Sequence, residues 1–188
     1  EPTVAVAAAG LVATGKADED EVAPRSKMIH LDLADGSEDV ALIDAATLAN
    51  DFVGNRMPVD PNNLRQLLVS TARPDTIGVS SVAGLHAVCL SQDDAAILVT
   101  CGEGGALTNA PIAPGLYQQV PVLEVERIDL GEEIDLDGPS TLAFDGDREH
   151  QIQAGTATRA VVRRDGPRVV DVRRTLEVGA SKGFFVLP

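Results

Sequence analysis

The sequence predicts a mainly β protein, a layered β-sheet or β-sandwich preceded by one short helix. Two observations carry this. About a dozen short runs are apolar or alternate apolar with polar, and Gly, Pro or Asp punctuates most of the gaps between them. Helical spacing is confined to the start, where residues 3–12 are rich in Ala and Val.

In chain order, the 3–12 segment reads as a helix that Gly10 weakens and Gly15 ends. It lacks the basic start of a signal peptide. An acidic turn follows at 17–22. Residues 28–33 alternate, and 40–48 are apolar around the single Asp44. Asp60 stands as N-cap with Pro61 at the first position of one or two helical turns over 61–66. Strands are then expected at 67–71, 76–80, 86–90, 95–101, 121–130, 140–144, 159–164, 168–174 and 183–186. The runs 160–164 and 169–173 flank Asp165-Gly166-Pro167, a hairpin signal. The expected organisation is a helical segment and acidic linker over 1–24, then a β-rich substrate-binding domain over 25–188. Residue 1 is Glu rather than Met, so the simplest reading is a C-terminal piece of a longer polypeptide.

With 188 residues the chain suits one domain, long enough for a core without disulfide or metal staples. A net charge of −14 argues against a phosphate-binding surface for nucleic acid and against an anionic membrane. No apolar run approaches the ~20 residues of a membrane span, and a cytoplasmic location is expected. There are 18 Asp and 11 Glu against 12 Arg and 3 Lys. That imbalance suits either a salt-rich cytoplasm or an acidic protein from a high-GC genome. Cys89 and Cys101 lie in separate apolar runs with no CxxC pair, so buried free thiols and no metal site are expected. His30, His86 and His150 are scattered.

Four stretches stand out beside the predicted turns. Ala41-Leu42-Ile43-Asp44-Ala45 puts a carboxylate into an apolar run, where it must meet a ligand hydroxyl or back a turn. Gly78-Val79-Ser80-Ser81-Val82-Ala83-Gly84 leaves the backbone open to close approach. Ala110-Pro111-Ile112-Ala113-Pro114-Gly115 reads as a rigid extended loop. Phe144-Asp145-Gly146-Asp147-Arg148-Glu149-His150 is an Asp-Gly turn dense in groups able to orient a hydroxyl or to hold a divalent ion through water.

Taken in order, these stretches resemble the C-terminal domain of the NAD kinase superfamily. There, A-L-N-E/D is followed by a small-residue loop related to S-T-P-T-G-S-T-A-Y, then T-P-I-A-P-H and a later D-G turn. The counterparts here are 41–44, 78–84, 108–115 and 145–147, and the resemblance spans roughly residues 25–175. It is strongest to the divergent ATP-NAD kinase or acetoin-catabolism X-type branch. Asp145-Gly146-Asp147 is also similar to the D-G-E of bacterial diacylglycerol kinases.

The resemblance implies a two-domain kinase whose N-terminal α/β domain carries a G-G-D-G phosphate-binding loop. No G-G-D-G occurs here. ATP and Mg2+ would therefore belong to the parent enzyme, with no cofactor held by this chain, and the fragment alone would be inactive. By the same resemblance, Asp145 and Asp147 are the catalytic candidates, orienting an acceptor hydroxyl or taking its proton. Asp44, Ser80, Ser81, Ala83, Gly84 and Gly146 would bind substrate. Ile43 stands where the family has Asn, and Gly115 where it has His. The implied partners are the N-terminal nucleotide-binding domain, a small-molecule acceptor with NAD as the first candidate, and further copies of the chain. A lipid or small-alcohol kinase on the same plan, and a non-catalytic ligand-binding or oligomerisation β-domain, are the alternatives.

Overall fold

A computed structural model describes residues 1–49 and 60–186. The chain forms two units, one of residues 27–164 and one that joins residues 1–26 to 165–188. The mainly β expectation holds.

In the larger unit, β1 (Met28–Asp32), β2 (Glu38–Ala41), β7 (Glu133–Asp137) and β10 (Ala157–Arg163) form an antiparallel sheet in the order β2-β1-β10-β7. A six-stranded sheet is built from β3 (Asp44–Leu48), β4 (Leu64–Val69), β5 (Ala95–Ala113), β6 (Leu116–Asp129), β8 (Ser140–Phe144) and β9 (Arg148–Ile152). Its order is β6-β5-β4-β3-β8-β9. Alternation in β1 turns Ile29 and Leu31 inward, where they pack with Leu68, Leu98, Leu136, Leu142, Phe144 and Val162. A second core, around Leu67, Val69, Ile97 and Val99, includes Val82 and Ala83 of the short helix α3 (Ser81–His86). β4 and β5 supply residues to both cores, so their inner stretches are continuously apolar rather than alternating.

Several expectations are corrected. The single run 40–48 is broken at Leu42 and Ile43 into β2 and β3. No strands form over 76–80 or 86–90. The chain there turns into α3, and an isolated bridge between Ala72 and Cys89 is what remains of strand pairing. Gly84 permits this path, because a Cβ on it would lie 2.1 Å from the Arg73 carbonyl oxygen. The rigid loop expected over 110–115 is strand as far as Ala113. β5 runs well past its predicted end and β6 begins before its predicted start, and they pair across register shifts between Thr100 and Ala106 that glycines accommodate. Pro121 is tolerated because β6 is an edge strand. Beyond Pro61–Asn63, a 3-10 turn capped by the Asp60 carboxylate, the chain extends at Leu64 instead of continuing as helix.

In the smaller unit, α1 (Pro2–Ala13) ends before Gly15 at φ +67°. The acidic stretch forms α2 (Glu19–Val22), N-capped by Asp18. The hairpin expected about 165–167 and the strands at 168–174 and 183–186 are absent. Instead the Asp171 carboxylate accepts from Arg174 N (2.9 Å) and starts α4 (Val172–Ser181), whose Val178 packs with Leu11 and Val22. Arg168 and Arg174 pair with Glu19 and Glu21 at 3.1 and 2.6 Å. Among the described residues no helix is long and apolar enough to cross a membrane.

Candidate functional site

The β8–β9 turn organises the first cluster. Asp145 takes a left-handed conformation, φ +51°, which a short polar side chain tolerates, and Gly146 follows at +75°. This aims the Asp145 carboxylate back at the break between β2 and β3. Oδ1 accepts from Leu42 N (3.0 Å) and Ile43 N (2.8 Å), and Oδ2 accepts from Leu42 N (2.8 Å). Asp145 N donates to the Asp44 carbonyl oxygen at 3.1 Å. On the other side of the break, Ser70 Oγ donates to Leu42 O (2.7 Å) and Ser70 N to Ile43 O (3.0 Å). Both backbone polar groups of Leu42 and Ile43 are thereby satisfied, while their side chains stand 45% and 53% exposed.

Arg148 ties this break to the neighbouring sheet. It donates to Asp39 Oδ1 (2.5 Å), Val40 O (2.8 Å) and Asp145 Oδ2 (3.2 Å), and its guanidinium lies 4.6 Å from the centre of the Phe144 ring. His150 stacks parallel to Phe144 and stands 3.9 Å from Asp39. Asp147 points to solvent, 3.6 Å from Arg148 Nε. Asp44 opens β3 beside this group. Burial pushes its carboxyl up to about 6, the Asp145 carboxylate adds to the rise, and a backbone hydrogen bond from Asp145 opposes it. A cleft of about 530 Å³ lined by His30, Asp32, Glu38, Asp39, Val40 and Arg163 adjoins the cluster through Asp39 and Val40.

The small-residue stretch forms a second neighbourhood. Gly78 N donates to Pro111 O (2.9 Å) and His86 Nε2 meets Thr108 Oγ1 (2.6 Å), so the second and third motifs lie side by side. Ser81 is buried and spends its hydroxyl on Gly78 O (2.7 Å). Ala83 packs in the core and Gly84 is buried against the Arg73 backbone, whereas Ser80 is half-buried and its side chain makes no capping bond. A cleft of about 330 Å³ lined by Pro74, Asp75, Ile77, Pro111, Gly115 and Tyr117 opens beside them.

The structure therefore unites Asp44, Asp145, Gly146 and Asp147 around one turn, and sets Ser80, Ser81, Ala83 and Gly84 beside 108–115. Sequence reasoning missed Ser70 and Asp39. Ser70 follows an apolar strand and Asp39 sits in an acidic run, and neither position carries a signal. Among the described residues, no three of His, Cys, Asp or Glu are grouped so as to hold a metal ion.

Residues 27–165 match the family described as Acetoin catabolism protein X C-terminal domain, which is almost the span of the larger unit. Over 165 residues the chain is 34% identical to a protein named Acetoin catabolism protein X from Cupriavidus necator, with 79% of this chain and 46% of that protein covered. The chain thus spans about half the length of this curated relative.

Proposed function

Because the chain belongs to the acetoin catabolism protein X C-terminal domain family, we propose that its β unit is the acceptor-binding part of an ATP-dependent phosphotransferase related to the NAD kinases. It would act on a hydroxyl, with NAD the first acceptor to test.

The observation that carries this reading is the pinned Leu42-Ile43 peptide with Asp44 beside it. A carboxyl raised to about 6 exchanges its proton near neutral pH, which suits a group that orients an acceptor hydroxyl or takes its proton. Both oxygens of Asp145 are engaged by backbone N–H groups, one also by Arg148. Asp145 therefore acts in this reading as a positioning residue, and Asp44 as the acceptor-facing one. Asp147, 75% exposed and 3.6 Å from Arg148 Nε, faces solvent, from where it would reach a substrate. No G-G-D-G loop occurs in the sequence, and the reading needs no ATP or Mg2+ held by this chain. The reading assigns them to a nucleotide-binding domain elsewhere in the polypeptide, and takes further copies of the chain as partners.

The test is NADP formation by the full-length polypeptide with ATP and NAD. Ile43→Asn, which restores the amide of the resembled motif at an exposed position, should lower the KM for NAD about five-fold, the worth of one added hydrogen bond. Turnover of a lipid alcohol or small polyol instead would keep the kinase and change the acceptor. The second reading, a β-domain that binds without catalysing, is favoured by the structural use of Asp145. Acceptor binding with no ATP consumption would establish it and end the kinase reading.

A further inference from the structure

Lys27, the first residue of the larger unit, is 2% exposed. Its Nζ donates to Ala95 O (2.7 Å) and Leu90 O (2.9 Å), and its third contact is Cys89 Sγ at 3.4 Å. Among the described residues, none of these bonds goes to a carboxylate. Cys89 is fully buried, and its Sγ lies 3.2 Å from the same Ala95 carbonyl. One acceptor thus fixes amine and thiol against each other. Burial lowers the Lys27 pKa and Arg164 lowers it further, against Cys89 and Asp93, so the neutral amine is more accessible than in an exposed lysine.

We infer that Lys27 and Cys89 form a redox-sensitive pair that peroxide joins covalently through an N–O–S bridge. The Cys89 sulfur breaks the O–O bond of one hydrogen peroxide, becoming a sulfenic acid and releasing water. The neutral Lys27 amine attacks a second peroxide, becoming a hydroxylamine and releasing water. The hydroxylamine oxygen then attacks the sulfenic sulfur, forming the O–S bond and expelling a third water. One amine, one thiol and two peroxides give one bridge and three waters, with two electrons leaving nitrogen and two leaving sulfur. A direct N–S bond would require the atoms to close to roughly half their separation inside a packed core, and an inserted oxygen asks far less movement.

Two further features bear on the pair. Cys89 lies in a two-residue bridge with Ala72 rather than in a sheet, and the next residue toward the N-terminus, Val88, is exposed, so local opening gives a small oxidant access. The loop after Cys89 also holds Arg164, the last residue of the unit, which donates to Ser91 O (2.6 Å) and Asp93 O (2.9 Å) and pairs with Asp94 (2.9 Å). The bridge would lock the loop that receives both ends of the unit. It would also fix the base of the stretch 73–87, which carries Ser80 and Ser81. Among the described residues Cys101 has no such partner amine, and burial pushes its thiol up to about 11, away from the reactive thiolate.

The experiment is peroxide treatment of the reduced chain followed by intact mass and tryptic mapping. The expected product gains about 14 Da, one oxygen less two hydrogens, and reverts with dithiothreitol. Cleavage after Lys27 should be lost, and the peptide containing residue 27 should be joined to the one containing Cys89. Cys89→Ser, close in size, should abolish the product, and Cys101→Ser should retain it. Gains in steps of about 16 Da with cleavage after Lys27 intact, or no change in mass, would overturn the proposal.

Discussion

Asp44→Asn tests the electrostatics of the candidate site without relying on any substrate. The Asp44 carboxyl rises from 3.8 to about 6 in the fold. Between roughly pH 4 and 6 the folded chain therefore keeps a proton that the unfolded chain has released, and stability falls as pH rises through that window. A rise of about two units corresponds to about 3 kcal/mol, with the loss complete above pH 6. Asp44 keeps some solvent contact, and screening brings the expected figure to about 2 kcal/mol. Asparagine is isosteric and uncharged, so the variant escapes this loss. Urea unfolding of both proteins at pH 4, 5, 6 and 7 should show nearly equal stability at the acid end. The variant should be about 2 kcal/mol more stable at pH 7. Taking the difference cancels the titration of every carboxylate that does not interact with Asp44, and among the causes of its rise the only other carboxylate is Asp145. A gap that stays constant with pH, or a native protein that is the more stable at pH 7, would refute the assignment.

Two further stability predictions follow from the same geometry. Asp145→Ala strips the acceptor from Leu42 N and Ile43 N and a partner from Arg148, and should cost about 3 kcal/mol. Asp145→Asn keeps one oxygen and tolerates the left-handed backbone, so about half of that loss should return. Thermal melts of the three proteins check the order, and an alanine variant that melts with the native protein would contradict it. Gly84→Ala forces a methyl onto the Arg73 carbonyl and should cost about 3 kcal/mol or more in urea unfolding. Gly10→Ala, in open space on α1, should gain up to about 1 kcal/mol. Equal stability of the two alanine variants would rule out the close approach at Gly84.

The fold was legible wherever the local pattern matched the burial. The 140–144 strand was read to the residue, because it ends in the apolar run Leu142-Ala143-Phe144 and is buried throughout inside the six-stranded sheet. α1 was legible from its spacing and Gly15. The segment 168–174 was misread because Val169-Val170 carries a strand signal, whereas the determining residue, Asp171, acts as a cap for the helix that follows. The 76–90 region was misread because α3 is too short to display a helical period, and its cause is the close approach at Gly84, a tertiary fact. β9 hid for the opposite reason, since an edge strand of Arg, Glu, His and Gln shows little apolar alternation. At the candidate site, the motif order pointed to Asp44 and Asp145 but could not tell which carboxylate is spent on the backbone. That distinction rests on a pairing 103 residues apart in sequence, Leu42 N with Asp145.

The two ends of the larger unit leave it side by side. β1 and β10 are antiparallel neighbours, and Met28 is paired with Arg163, one residue inside each end. A body whose entrance and exit coincide behaves as a cassette. It can be spliced into a host chain at a single peptide bond without pulling the flanking segments apart, and its original ends can be joined and new ones opened elsewhere. The family match, which begins at 27 and stops at 165, follows the outline of such an insert. The larger unit therefore has the end geometry that insertion into a host chain, or permutation of its own ends, requires.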